Sequence, residues 1–182
     1  GYYLNPEETR KSFVKDEQTG KVWYRTGDIG ALLSDGTIKI IDRKKDIIKL
    51  KHGEYISLVH VENEILRSKL VDLVCVAPDA DYGFLVALIM PNRLAVKEFC
   101  DKSEFKFDTS DPEKLIENVE VQELLQRNIR DFVVMGKKLD KYEMPKKFCI
   151  ICDLWTPESG LMTPSAKIRR HVITTKYKEN LM

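Results

Sequence analysis

Three short runs of this chain carry residue types that can do chemistry. The first is YRTGD at 24–28. A strand-prone stretch ends at Thr26 and Gly27 and leaves Asp28 where the chain turns. An ionised carboxylate has two acceptor oxygens, enough for both hydroxyls of a ribose diol. An aspartate in such a place also caps its own turn. The second run is DRKKD at 42–46. Arg43 presents a planar fork of donors that suits a ribose hydroxyl or a phosphate, and the same run reads as a solvated basic linker. The third is LMTPSAK at 161–167, which follows WTPESG at 155–160. Pro157, Gly160 and Pro164 shape a loop, and Lys167 stands at its end, before helix-prone IRR. A lysine there can bring a mobile positive charge to a carboxylate or phosphate, or remain an ordinary surface lysine.

The chain has 182 residues, 43% hydrophobic and 32% charged, with 30 basic and 29 acidic side chains. Such an apolar share supports a packed core and excludes disorder or a fibrous repeat. The balanced charge argues against a nucleic-acid binder. Neutrality is an average, however: residues 43–52 hold five Lys or Arg and one Asp. The longest apolar run, at 84–90, is strand-sized and far short of the roughly 18 residues of a membrane helix. Cys75, Cys100, Cys149 and Cys152 read as reduced thiols, and so as an intracellular protein. Cys149 and Cys152 form a C-x-x-C, but in β-prone surroundings positions three apart face opposite sides of a strand, so buried structural cysteines are expected. His52, His60 and His171 do not pair at ligand spacing, and no metal site of side chains is expected.

The elements that must position these residues follow from local signals. Asn5 and Pro6 predict a helix start. SDG at 34–36 between 29–33 and 37–41 predicts a hairpin. Residues 42–46 mark a junction. Beyond it, apolar spacing at 58, 61, 65 and 66 predicts a helix over 58–70. Strands are expected at 71–77, 84–90 and 148–152. Helices are expected at 93–100, at 168–178, and as one long amphipathic helix from Pro112 into Lys138. The mixture implies a small α+β unit.

In order and spacing, these runs resemble the adenylate-forming superfamily and, within it, the long-chain fatty acyl-CoA synthetases. YRTGD at 24–28, the segment at 41–49, GEYI at 53–56 with Val61 and Glu62 after it, and TPSAKIR at 163–169 all match family motifs, as does the opening GYYLNPEET. The GEY form is what points to the long-chain branch. Before the family lysine, relatives more often have Gly or Phe where this chain has Ala166.

The resemblance implies an α+β fold: the small C-terminal domain of the adenylate-forming enzymes, a central antiparallel sheet flanked by helices, preceded by a short β-hairpin remnant of the large N-terminal domain. Residues 1–41 would end that N-terminal domain, 42–46 would be a hinge, and 47–182 a mobile C-terminal domain. The implied reaction joins a fatty acid to ATP with Mg²⁺ and passes the acyl group to coenzyme A. Asp28 would hold the ribose hydroxyls with support from Arg43. Lys167 would be catalytic in adenylation, Lys45 the hinge, and Gly53, Glu54, Tyr55 and Ile56 would line the coenzyme A path. The phosphate loop and the fatty-acid tunnel would belong to the N-terminal domain, a partner in the same chain, so the fragment alone is expected to be inactive. A cytoplasmic location, or one peripheral to an organelle membrane, would follow. Alternatives are a non-catalytic nucleotide-binding or interaction module on the same fold, or an adenylation domain with another acceptor.

Overall fold

A computed structural model describes residues 1–182. By internal contacts the chain divides into Gly1–Ile47 and Ile48–Met182.

In the first unit, Asn5 caps helix α1 (Pro6–Ser12) by accepting from the Glu8 N–H at 3.0 Å. Strands β1 (Phe13–Lys15) and β2 (Val22–Tyr24) pair antiparallel. Their turn is closed by the Asp16 carboxylate, which accepts from the N–H groups of Gln18 and Thr19 at 2.9 Å each. Strands β3 (Asp28–Leu32) and β4 (Ile38–Arg43) form a second antiparallel pair with a bulge at Ile29/Gly30. Their turn has the signals the sequence offers: Asp35 accepts from the Thr37 N–H at 2.9 Å, and Gly36 adopts φ +83°. Ser12 is the only buried residue of this unit. A single 3₁₀ turn, Lys44–Asp46, follows β4.

The boundary falls within β5 (Ile47–Lys49), which forms a two-stranded sheet with β6 (Tyr55–Ser57). Ser57 then caps α2 (Leu58–Ile65). A three-stranded sheet follows in the order β7 (Val71–Pro78), β8 (Leu85–Pro91), β9 (Lys147–Ile150). The β7–β8 pairing is antiparallel, whereas β8–β9 is parallel. All seven residues of β8 are buried. A central strand covered on both faces has no polar side, which is why its sequence is a continuous apolar run. Leu85, Ala87 and Ile89 face one core with Val74, Val76, Phe148 and residues of α2 and the later helices. Val86, Leu88 and Met90 face the other, with Cys75, Trp155, Leu161 and Ile173.

The first core is covered by α2, α3 (Arg93–Asp101), α4 (Pro112–Glu117) and α5 (Val119–Gly136). The expected single helix from Pro112 is thus two. Asn118 takes an extended conformation (φ −66°, ψ 123°), ends α4, and caps α5 by accepting from Glu120 N–H at 2.9 Å. An Asn side chain that satisfies free N–H groups competes with helix continuation, and here it wins. The second face is covered by α6 (Arg170–Lys176) and the preceding loop. The helix expected from residue 168 starts later, because Ile168 forms a β-bridge with Met162. No helix is long and apolar enough to cross a membrane.

Candidate functional site

The first unit brings Asp28 and Arg43 together. They are direct partners in the β3–β4 register, and Arg43 Nε lies 3.7 Å from Asp28 Oδ1. The bulge decides this. Extending the register Leu32↔Ile38 would place Asp28 opposite Asp42; the one-residue shift at Ile29/Gly30 places it opposite Arg43 instead. Gly27 (φ +80°) supplies the turn before Asp28, and its carbonyl accepts from the Lys44 N–H at 2.8 Å. The Asp28 backbone is fixed by its own N–H donating to Thr26 Oγ1 at 3.1 Å. A carboxylate beside a guanidinium on an accessible strand end can accept from hydroxyl groups.

Lys45 lies exposed within the 3₁₀ turn between β4 and β5. Past it, the Gly53 turn is closed by the Leu50 N–H donating to Glu54 O and the Gly53 N–H to Leu50 O, both 2.9 Å. Gly53 sits at φ +100°, a region open in practice only to glycine. Around it, the four residues taken together in the sequence part ways. Tyr55 is 69% exposed, with Lys49 Nζ 5.4 Å from its ring centroid. Ile56 is fully buried in the first core, so only its backbone is available to a ligand. Glu54 has one buried carboxylate oxygen with no hydrogen-bond partner. It borders a cavity of about 290 Å³ shared with His52, Phe84, Lys141, Tyr142 and Lys146.

Lys167 is exposed at the end of a tight loop. Thr163 N–H donates to Lys167 O at 2.8 Å, Lys167 N–H returns to Thr163 Oγ1 at 3.1 Å, and Ala166 N–H donates to Thr163 O at 2.9 Å. Ala166 adopts φ +58°. A side chain there costs about 1–2 kcal/mol against glycine. The loop base is tied by Arg169 N–H to Leu161 O at 2.8 Å and Arg169 Nη1 to Gly160 O at 3.1 Å.

One buried contact escapes sequence reasoning. Glu62, on the buried stripe of α2, is 7% exposed and is held by Arg170, whose Nη2 donates to Oε2 at 3.1 Å. A second bond joins Arg170 Nη1 to Glu62 Oε1. Val76 completes the arrangement, its N–H donating to Glu62 Oε1 at 2.8 Å and its carbonyl accepting from Arg170 Nη1 at 2.6 Å. The available signal was a carboxylate among Leu58, Val61 and Ile65, since a charge on a buried face needs a partner.

The cysteines offer no nucleophile. None is in a disulfide, and burial pushes the Cys75 thiol up to about 12. Cys149 and Cys152 pack against opposite cores, and burial raises both thiols. No group of three or more His, Cys, Asp or Glu is placed to hold a metal ion.

No protein-family model matches the chain. Among curated proteins it is 40% identical over its whole length to long chain acyl-CoA synthetase 8 of Arabidopsis thaliana. It is 31% identical, again over its whole length, to fatty acyl-CoA synthetase B of Dictyostelium discoideum. The chain spans about a quarter of the length of these relatives. Among solved structures, its whole length matches 25% of the adenylation domain of a carboxylate reductase from Mycobacterium chelonae, with TM-score 0.75 and 29% identity. It also matches 22% of an A-PCP didomain of a carboxylic acid reductase from Segniliparus rugosus in complex with AMP, with TM-score 0.73 and 28% identity. In sequence over its full length, and in the fold that carries that sequence, the chain is a segment of the adenylate-forming family, homologous to the long-chain acyl-CoA synthetases.

Proposed function

We propose that this chain is the C-terminal part of an ATP-dependent, AMP-forming long-chain fatty acid–CoA ligase. One observation carries the reading: in a chain that aligns end to end with long-chain acyl-CoA synthetases, Asp28 and Arg43 meet in register across β3 and β4. Asp28 accepts from the ribose hydroxyls of ATP, and Arg43 orients it. Lys167 is the catalytic residue of adenylation. Attack of the fatty-acid carboxylate on the α-phosphorus brings two anionic groups together, and a cation between them stabilises the transition state as pyrophosphate leaves. In the second step the coenzyme A thiol takes the acyl group, and AMP departs.

For that step the Gly53 turn forms the approach of coenzyme A. Glu54 supports this, because its unpartnered oxygen is an acceptor for an amide N–H such as pantetheine carries. Tyr55 offers an exposed ring, and Ile56 its backbone. Lys45, in the short 3₁₀ turn just before the division of the chain at Ile47, is the hinge about which 47–182 turns between the two steps. Residues 1–41 complete the large N-terminal domain, which supplies the phosphate loop and the fatty-acid tunnel. Mg²⁺ enters with ATP as a co-substrate, and no group of three or more His, Cys, Asp or Glu of this chain is placed to hold it. The enzyme works inside the cell, in the cytoplasm or peripheral to an organelle membrane.

The test uses the enzyme that carries this segment. Lys167→Ala should lower fatty-acid-dependent exchange of pyrophosphate into ATP by about 10²–10³-fold, with thioester formation from supplied acyl-adenylate largely kept. Exchange at the wild-type rate would remove Lys167 from the reaction.

A second reading has its own observation, the match to an A-PCP didomain of a carboxylic acid reductase. In that reading the acceptor is a carrier domain instead of coenzyme A. The higher identity to acyl-CoA synthetases favours the first. Supplying either acceptor to the acyl-adenylate form and measuring which becomes acylated separates them.

A further inference from the structure

We infer that Glu62 and Arg170 form a strut around the edge of the sheet that holds the Gly53 turn and the Lys167 loop in one rigid body. The inference rests on the roles proposed above for those two loops. The helices concerned lie on opposite faces: Leu58, Val61 and Ile65 of α2 belong to the first core, and Ile173 of α6 to the second. Strand β7 is an edge of its sheet. At Val76, both backbone groups of β7 bond to this side-chain pair, the N–H to Glu62 and the carbonyl to Arg170. The pair thus stands where a neighbouring strand would stand, satisfies the edge at Val76, and links a helix on one face to a helix on the other.

Chain connectivity gives the strut its reach. The turn containing Gly53 runs through β6 directly into α2, which carries Glu62. Lys167 lies three residues before Arg170, the first residue of α6. A bidentate guanidinium–carboxylate contact fixes orientation as well as distance. A buried carboxylate has no alternative partner in water, so the two helices are not free to rotate independently. A domain that presents two loops in turn to one reacting centre needs them to keep a constant mutual geometry. Glu62 and Arg170 are therefore positioning residues for both steps.

Hydrogen exchange on the 182-residue chain tests this. The reporters are the Thr163 and Arg169 amides for the Lys167 loop and the Leu50 and Gly53 amides for the other turn. Glu62→Ala should speed exchange of Thr163 and Arg169 by about tenfold, and Arg170→Ala should do the same to Leu50 and Gly53, with β8 amides unchanged. Each effect lies on the side opposite its substitution, which local loosening would not produce. Far-side exchange within about twofold of wild type would overturn the strut. If either alanine variant speeds β8 as well, Glu62→Gln and Arg170→Lys decide by the same criterion, since they keep part of the bonding. In the enzyme, Glu62→Gln should lower kcat of adenylation and of thioester formation by a common factor with KM for ATP unchanged. An effect confined to one step would also overturn the inference. The exchange result stands or falls without the reaction, whereas an unaffected Lys167→Ala enzyme would sink only the proposed function.

Discussion

Strands β4 and β8 are both rich in isoleucine and leucine-like side chains, yet they live in different solvents. In β4, Ile38, Ile40 and Ile41 are 69, 62 and 55% exposed. In β8, every residue from Leu85 to Pro91 is buried. Propensity does not separate them; layering does. β4 pairs only with β3, in a two-stranded ladder, and most of its side chains stay exposed. β8 has a strand on either side and a layer on each face, so each of its large side chains contributes about 1.5–3 kcal/mol by burial. The functional groups differ accordingly. Asp28 and Arg43 are set by ladder register alone, whereas Lys167 and Gly53 sit on loops whose bases reach a two-sided core.

The largest effect expected from this contrast is on stability. Ile89→Ala should cost about 2–5 kcal/mol in urea unfolding of the chain, because it opens a cavity in a closed core. Ile40→Ala should change stability by no more than about 0.5 kcal/mol. Equal costs would break the comparison. A smaller loss sharpens the account of the layer over β8. Asn118→Ala removes the cap of α5 and should cost about 1 kcal/mol in the same measurement; no change would mean that packing alone holds the α4–α5 break.

The smallest effect concerns the far face. Lys176 Nζ at 2.6 Å, and then the Tyr177 hydroxyl at 2.8 Å, hold the Asp153 carboxyl below its ordinary range. The same bond to Asp153 raises Lys176. A lowered carboxyl stabilises above its unfolded pKa, and that stability is lost as pH falls through the folded one. A raised lysine stabilises below its unfolded pKa and loses that stability as pH climbs through the folded one, above the usual lysine range. Both groups are about half exposed, so the pair is worth under about 1 kcal/mol. Asp153→Asn should lower the Tm slightly at neutral pH, with the difference shrinking as pH falls below the ordinary carboxylate range and again in strong alkali. A difference that persists in acid would assign the effect to packing.

Much of the fold was legible because its signals are local. Asn5 before Pro6 starts α1, and SDG at 34–36 closes the β3–β4 hairpin, as expected. The continuous run at 84–90 is a strand buried on both faces. Two expectations that failed, one helix across Asn118 and a helix from Ile168, share a cause. In each a helix-compatible stretch was taken over by a competing hydrogen bond, from the Asn118 side chain in one case and from the Met162 bridge in the other.

For the site, the amino-acid sequence by itself determined which groups are present and in what order: Asp28, Arg43, Lys45, the Gly53 turn and Lys167. It also placed glycine at Gly53, where φ is +100°. Tertiary structure decided which of them meet. A one-residue bulge turns an Asp28–Asp42 opposition into an Asp28–Arg43 pair. The core claims the side chain of Ile56 and leaves Tyr55 outside. Only the folded sheet edge brings Glu62 to Arg170, far apart in the chain. The physical reason is that residue type and local spacing fix capping and turn chemistry, whereas register and burial are collective properties of layers that no single segment contains.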